Sequence, residues 1–142
     1  MTPAISPQLQ ELYKVASETR LKAYSPYSGH KVGAALRTSD GKIYGGCNVE
    51  NSSYGATICA ERTAILKGVS DLQAGGKIAI TEVVVVTDAA DPWPPCGLCR
   101  QLLSEFSTPD TRVHAINLQG KVESFTFAEL LPRAFTPVYL KK

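Results

Sequence analysis

The sequence predicts an α/β fold of three layers, in which helices cover both faces of a mixed five-stranded sheet. Segments with helical spacing of apolar residues are interleaved with strand-like segments along the chain, which is typical of layered α/β proteins. A continuous β-branched run at residues 83–86 predicts a central strand that is buried on both faces and parallel to a neighbour. The turn Ser39-Asp40-Gly41 lies between two strand-like segments and predicts an antiparallel hairpin.

The first half of the chain predicts a helix, the two hairpin strands and a second helix. Ser6 and Pro7 suit the N-cap and the first helical position, and Ser25-Pro26 predicts the end of that helix. A polar loop then leads to a helix that begins near Cys59 and is predicted to stop at Gly68. The hairpin strands are predicted at residues 31–37 and 42–50.

The second half predicts three strands and two helices. A Pro-rich loop at residues 91–95 leads to Cys96, where a helix with apolar residues at core spacing begins. Thr126 and Glu129 form the sequence pattern of a capping box for a short last helix. The strands are predicted at residues 82–88, 111–118 and 122–125.

Composition limits the classes of protein to which the chain can belong. With 142 residues we expect one domain, residues 1–142, with a core of its own. A net charge of +2 does not predict a nucleic-acid partner, and no apolar run is long enough to span a bilayer. The N-terminus lacks a basic segment followed by an apolar one, so we expect a cytoplasmic protein. In that compartment four cysteines predict metal binding rather than disulfides.

Three of these cysteines form a pattern typical of a metal site. Cys96 and Cys99 have the spacing of two ligands to one ion, and Cys59 offers a third soft ligand. Three protein ligands leave a coordination position open, which is where water or substrate binds to zinc. Glu61 lies two residues from Cys59 and, if Cys59 stands in the first turn of its helix, could move the protons of such a water.

Two arginines are candidates for balancing the charge of the thiolates. Arg62 is three residues after Cys59 and Arg100 is four after Cys96, so each guanidinium is expected one helical turn from a thiolate. For Arg100 a surface salt bridge is an equally good interpretation. The fourth cysteine, Cys47, lies on the second predicted strand and is expected to be a buried core thiol.

A pair of polar residues marks the end of the same strand. Asn48 and Glu50 are two apart, so strand alternation predicts that both side chains lie on one face. An amide and a carboxylate together can donate to and accept from a hydroxyl group.

The motifs taken together resemble those of homotetrameric, zinc-dependent cytidine deaminases. The resemblance covers residues 24–106 and returns at 130–135, and it rests on four separated motifs in the family's order. These are Tyr24-Ser25-Pro26-Tyr27-Ser28 with Val32-Gly33-Ala34-Ala35-Leu36, Asn48-Val49-Glu50-Asn51, Cys59-Ala60-Glu61-Arg62, and Pro95-Cys96-Gly97-Leu98-Cys99-Arg100-Gln101.

This resemblance implies a fold, an activity and a set of site residues. It implies the α/β/α sandwich of that family, hydrolytic deamination of free cytidine and 2′-deoxycytidine, one zinc ion per subunit, and a homotetramer with shared active sites. Glu61 would move protons, Cys59, Cys96 and Cys99 would hold zinc, and Arg62 would hydrogen-bond their sulfurs. The substrate-binding residues it implies are Asn48 and Glu50 at the ribose, Ala60 and His30 at the base, and Tyr54 and Phe135, which neighbouring subunits would supply.

Two other functions and several details stay open at this point. A structural zinc module is opposed by the missing fourth ligand and by Glu61, whereas deamination of a related heterocycle such as blasticidin S is opposed by the Asn48/Glu50 pair. His30 stands where the family has Phe, so it either stacks on the base in the same way or alters base preference. Trp93 either packs the Pro-rich loop or lines the mouth of the pocket. The sequence does not decide between cytidine and deoxycytidine, nor which base analogues are tolerated, nor where the tail after Phe135 lies.

Overall fold

The computed structural model describes residues 5–72 and 76–140, and it has the predicted mixed sheet of five strands. The strands are β1 (Gly33–Thr38), β2 (Ile43–Cys47), β3 (Ile80–Thr87), β4 (Ser107–Asn117) and β5 (Val122–Thr126). Their order across the sheet is β2-β1-β3-β4-β5. β3 is parallel to β4, as predicted for the β-branched run, and antiparallel to β1; the other two pairs are antiparallel.

Helices cover both faces of this sheet, which gives the three layers. They are α1 (Pro7–Arg20), α2 (Ala60–Asp71), α3 (Gly97–Phe106) and α4 (Phe127–Leu130), with short 3₁₀ turns at Tyr54–Ala56 and Pro137–Leu140. α1 packs through Leu12 and Ala16 against Val84 and Val86 on one face. On the other face α2, α3 and α4 enclose a larger core, to which they contribute Ala64, Ile65, Leu103, Phe127 and Leu130. Within the described residues no helix is long and apolar enough to cross a membrane.

Two glycines let the helices lie directly on the hairpin strands. A Cβ atom on Gly33 would collide with the backbone carbonyl of Ala16 in α1, and one on Gly46 would lie 2.6 Å from the carbonyl oxygen of Ala60. Real Cβ atoms do not approach backbone so closely, so glycine is required at both positions. The contact at Gly46 fixes the first turn of α2, which carries the candidate site.

Several predicted boundaries were wrong; β4, for example, begins at Ser107 rather than at residue 111. Three of the others are explained by contacts that the structure shows. α1 ends at Arg20 rather than near Ser25, because the amide groups of residues 21–23 already turn back onto carbonyl groups of the last helical turn. β2 ends at Cys47 rather than at residue 50, because Val49 makes isolated bridges to Tyr24 and Ile58 instead of continuing the pairing with β1. α2 continues past Gly68 to Asp71, since this glycine is buried against the ring of Tyr44 and does not act as a helix stop. The capping box of Thr126 and Glu129 is confirmed at α4.

Candidate active site

A cavity of about 260 Å³ opens where β3 ends and where α2 and α3 begin. Its walls come from the segment before β1, the segment after β2, the first turn of α2, the end of β3 and the Pro-rich loop. Carboxyl ends of parallel strands and amino ends of helices are common places for ligand sites in α/β proteins. Most of the predicted site residues lie in this cavity: His30, Asn48, Glu50, Cys59, Ala60, Glu61 and Cys96.

The three predicted thiols meet beside the cavity. Cys59 and Cys96 are the N-cap residues of α2 and α3, and Cys99 lies in the first turn of α3. The sulfur of Cys96 is 3.7 Å from that of Cys59 and 3.5 Å from that of Cys99, and all three atoms lie within 4.8 Å of one another. Zinc–sulfur bonds of about 2.3 Å in a tetrahedron place sulfur atoms about 3.8 Å apart. Two of the three separations are therefore close to those around a zinc ion, and the third is no longer than 4.8 Å.

Positive charge at this cluster comes from Arg62. Its guanidinium Nη2 donates to the sulfur of Cys59 at 3.7 Å and to the carbonyl oxygen of Thr57 at 3.0 Å. A hydrogen bond from Cys99 and then the Arg62 contact lower the pKa of Cys59 to about 5, although burial opposes the shift. The same interaction with Cys59, together with burial, raises the pKa of Cys99.

The prediction for Arg100 does not agree with the structure. Its Nε donates to the carbonyl oxygen of Pro95 at 2.8 Å and its Nη1 to that of Leu130 at 2.8 Å. Cys96 is an N-cap residue with extended backbone rather than a residue of the helix, so the four-residue spacing does not bring its sulfur to the guanidinium. Arg100 joins α3 to the end of α4 instead of balancing a thiolate.

Cys47 was expected to be a buried core thiol, but it is only partly buried. It lies on β2, paired with Gly33 of β1, and outside the thiol cluster.

Glu61 is a buried carboxyl group in the wall of the cavity. Only 5% of the Glu61 surface is exposed to solvent. Burial is the main reason that its pKa rises to about 7, and the negative charge of Cys59 adds to the shift. A carboxyl group with a pKa near the working pH can both accept and donate a proton, which a group that serves several proton transfers requires.

Asn48 and Glu50 line the cavity together and also hold its wall in place. The Asn48 side chain accepts from the backbone N–H of Val32 and donates to the carbonyl oxygen of His30, both at 2.9 Å. Glu50 accepts from the backbone N–H groups of Tyr27 and Ser28 at 3.0 Å and from the Ser28 hydroxyl. These bonds lower the pKa of Glu50, the Ser28 hydroxyl having the largest effect. Each side chain keeps hydrogen-bonding capacity for a ligand, since an amide and a carboxylate can each make four hydrogen bonds.

His30 and Trp93 form one side of the cavity mouth. Their rings meet edge to face with centroids 5.1 Å apart, and His30 Nδ1 lies 3.5 Å from the carboxylate of Asp88. Asp88 in turn lies 3.4 Å from the guanidinium of Arg20. Trp93 therefore lines the pocket, which was the second of the two interpretations left open by the sequence.

Comparison with known proteins identifies the family. The family model of the cytidine and deoxycytidylate deaminase zinc-binding region matches residues 6–115. The chain belongs to this family. A cytidine deaminase of Halalkalibacterium halodurans is 48% identical over 127 residues, which are 89% of this chain and 93% of that protein. A blasticidin-S deaminase of Bacillus cereus is 35% identical over 136 residues, 93% of this chain and 95% of that one.

Solved structures of other members have the same fold. A cytidine deaminase from Burkholderia pseudomallei superposes with a TM-score of 0.81 at 44% sequence identity, covering 92% of this chain and all of that one. One from Mycobacterium tuberculosis gives a TM-score of 0.73 at 33% identity, covering 92% and 98%. The predicted α/β/α sandwich of this deaminase family is thus confirmed, and the zinc-binding region of the family contains all three clustered thiols.

Two of the predicted substrate-binding residues lie outside the cavity of the deaminase chain. Tyr54 is 76% exposed and meets Tyr27 edge to face, and Phe135 is 55% exposed and stacks on Tyr139 with centroids 5.5 Å apart. The resemblance to the deaminase family implied that both residues belong to the sites of neighbouring subunits, so their exposure in one chain agrees with that expectation without testing it. The tail after Phe135, which the sequence left unplaced, forms the 3₁₀ turn at Pro137–Leu140.

The sequence also missed several residues of this deaminase cavity. Val85 and Thr87 contribute the end of β3, and Ser28, Val32, Thr57 and Pro94 come from the surrounding segments. A usable signal existed for Thr87, because ligand sites of open α/β sheets lie beyond the carboxyl ends of parallel strands and Thr87 closes the β-branched run. Nothing in the spacing of the other residues would have selected them.

Proposed function

We propose that the protein hydrolyses free cytidine and 2′-deoxycytidine to uridine and 2′-deoxyuridine. Water adds at C4 of the cytosine ring, and the exocyclic amino group leaves as ammonia. The observation that supports this best is a cavity whose walls hold a buried carboxyl group and a polar pair for a sugar, with a three-thiol cluster directly beside it. Relatives that are 40–48% identical to this chain and carry the name cytidine deaminase support the same reaction.

The proposed metal centre consists of Cys59, Cys96 and Cys99, with one zinc ion per subunit. Zinc bound there supplies a Lewis acid that lowers the pKa of water to about 7. Three thiolates oppose that effect through their negative charge. Arg62 reduces this charge by its contact with Cys59, and the amides at the starts of α2 and α3 contribute further positive potential.

The proposed catalytic group is Glu61. Its raised pKa lets it take a proton from the attacking water and return protons to the ring and to the leaving amine. The backbone amide of Ala60 lies in the same cavity wall and is assigned to the edge of the base. Asn48 and Glu50 are assigned to the ribose 3′-hydroxyl, for which their remaining donors and acceptors are suited.

We assign His30 to the face of the base. Its ring is held between Trp93 and Asp88, so it can form a flat wall of the cavity as Phe would. The imidazole is also within the electrostatic reach of Glu50, whose pKa it helps to lower. These contacts support stacking at a fixed orientation.

We further propose a single-domain, cytoplasmic homotetramer whose subunits complete one another's sites. Four free cysteines support a reducing compartment. Exposed aromatic rings at Tyr54 and Phe135, and a surface groove between α2 and α3 with exposed Leu66 and Leu98, support assembly of several chains. Light scattering of active enzyme tests this: an active monomer contradicts the proposal, and a tetramer agrees with it.

The second candidate is deamination of blasticidin S, which is favoured by the relative of that name that matches nearly the whole chain. An ultraviolet assay of the zinc-loaded protein with cytidine, deoxycytidine, 5-methylcytidine, adenosine and blasticidin S separates the two. We expect turnover of cytidine and deoxycytidine and none of adenosine. Turnover of blasticidin S without turnover of either nucleoside would replace the first proposal with the second.

A further inference from the structure

Thr87 carries a buried hydroxyl group that has no partner within the described chain. The residue is 1% exposed, and its Oγ1 makes no hydrogen bond to residues 5–72 or 76–140. Three other buried polar atoms in these ranges share this property, in Ser17, Arg62 and Ser107, but Thr87 alone of the four lines the active-site cavity. A buried polar group without a partner is unfavourable and calls for an explanation.

The register of the sheet places Thr87 in line with the proposed sugar contact. The pairs Cys47–Gly33 and Gly33–Val86 form one row across β2, β1 and β3. In the next row the backbone N–H of Asn48 donates to the carbonyl oxygen of Val32. Thr87, which follows Val86 along β3, lies opposite Val32 and continues this row. Because residues of one row project to the same face, Asn48, Val32 and Thr87 all face the cavity.

The separation of Asn48 and Thr87, the two ends of this row, sets the size of a molecule that could contact both residues. Strands lie about 4.8 Å apart, so the backbones of Asn48 and Thr87 are separated by about 10 Å, less the reach of two side chains. That gap suits a molecule with a sugar at one end and a flat heterocycle at the other. Val32 lies between them and offers an apolar surface to the ring.

We propose that Thr87 is a substrate-binding residue whose hydroxyl group hydrogen-bonds the pyrimidine base of a nucleoside held at Asn48 by its sugar. This inference rests on the proposed nucleoside substrate and adds a base contact from β3. It explains why a hydroxyl group is kept at a buried position with no protein partner. In the free protein that group is unpaired and shielded. The hydroxyl group turns towards the bound base and pairs with it.

The test uses Thr87→Val, which replaces the hydroxyl group by a methyl group of similar size, and Thr87→Ser, which keeps the hydroxyl group. In the zinc-loaded protein Thr87→Val should weaken binding of the product uridine and raise KM for cytidine, each by about 3- to 10-fold, the loss expected for one neutral hydrogen bond. Without nucleoside its thermal midpoint should equal or exceed that of the wild type, because an unpaired buried hydroxyl group has been removed. Thr87→Ser should bind uridine within about twofold of the wild type, since its hydrogen bond survives.

Thr111→Val is the matched control. Thr111 is equally buried, but its hydroxyl group donates to the carbonyl oxygen of Ile80 at 2.8 Å and accepts from Thr108 at 3.0 Å. This variant should lower the thermal midpoint and leave uridine affinity unchanged. The proposal is overturned if Thr87→Val binds uridine as the wild type does, or if it loses stability as the control does. If the wild type fails to turn over cytidine while Thr87→Val still loses uridine affinity, the proposed reaction fails and the base contact stands.

Discussion

Replacing Glu61 with Gln should stabilise the metal-free protein at neutral and alkaline pH. Glu61 is buried in the cavity wall, and burial together with the Cys59 thiolate raises its pKa from 4.5 to about 7. At a pH between these two pKa values, Glu61 is protonated in the folded chain and ionised in the unfolded chain. The free energy of unfolding therefore falls as pH rises through this window, because the folded state must then bury a carboxylate.

The size of the effect follows from the shift. A change from 4.5 to about 7 corresponds to about 3 kcal/mol when the carboxyl group is fully ionised in both states. At about pH 5 most of this penalty is absent, and at about pH 8 it is nearly complete. Gln cannot ionise, so we expect the stability of Glu61→Gln relative to wild type to increase by about 2–3 kcal/mol between these conditions.

Urea unfolding of both proteins after removal of metal by a chelator measures this difference. Glu129→Gln is the control, whose stability relative to wild type should not change between about pH 5 and pH 8 and should change with the opposite sign only below about pH 4.5. Its pKa is lowered by the backbone N–H of Thr126, so that carboxylate stabilises the fold at high pH, and the stabilisation is lost as pH falls through its folded pKa. A relative stability of Glu61→Gln that does not change with pH would refute the assignment of a buried carboxyl group with a raised pKa.

The same variant tests the proposed chemistry. Proton transfer by a positioned side chain typically raises a reaction rate by about 10²–10⁴-fold. Because Glu61 is assigned several such steps, turnover by zinc-loaded Glu61→Gln should be lower than that of the wild type by about 10⁴-fold or more. Zinc content and uridine binding should persist. Turnover within about tenfold of wild type would show that another group moves the protons.

Three further predictions concern the metal, the packing of α2 and the cavity wall. Cys96→Ala should lose zinc in elemental analysis while Cys47→Ala keeps it, and the reverse result would contradict the ligand assignment. Gly46→Ala should lower stability by about 1–3 kcal/mol and reduce turnover, because its Cβ pushes against the first turn of α2. Gly55→Ala, whose Cβ meets nothing within 4 Å, is its control in the same thermal and kinetic assays. His30→Phe should keep or improve cytidine turnover, and a large loss with zinc and fold intact would mean that the imidazole has a polar role.

The architecture could be predicted because the patterns that indicate each helix and strand involve residues close together in the sequence. The apolar spacing of α1, the run at residues 83–86 and the capping box at Thr126 each depend on near neighbours in the chain. Boundaries depend on distant contacts and were harder. Gly68 resembles a helix stop, and only the ring of Tyr44 against it explains why the helix continues.

The site residues likewise include some that short motifs predict and others that depend on distant contacts. Two short motifs are sufficient to predict the thiol cluster, since Cys59 and Cys96 both cap helices that begin at the cavity. The spacing of Arg100 led to a wrong prediction because the partner of its guanidinium is a carbonyl group at the end of α4, which no local pattern reveals. The unpaired state of the Thr87 hydroxyl group depends on how residues 5–72 and 76–140 pack around the strand end, which no local pattern reveals.

The origin of the three thiols has a consequence for how the chain folds. Cys59 precedes β3, whereas Cys96 and Cys99 follow it, so the three thiols meet only when the starts of α2 and α3 lie together in the folded chain. An unfolded chain keeps only the Cys96/Cys99 pair close together, so most of its affinity for zinc arises on folding. Metal affinity is then part of the folding free energy, and release of zinc into a chromogenic chelator on unfolding reports the separation of the starts of α2 and α3.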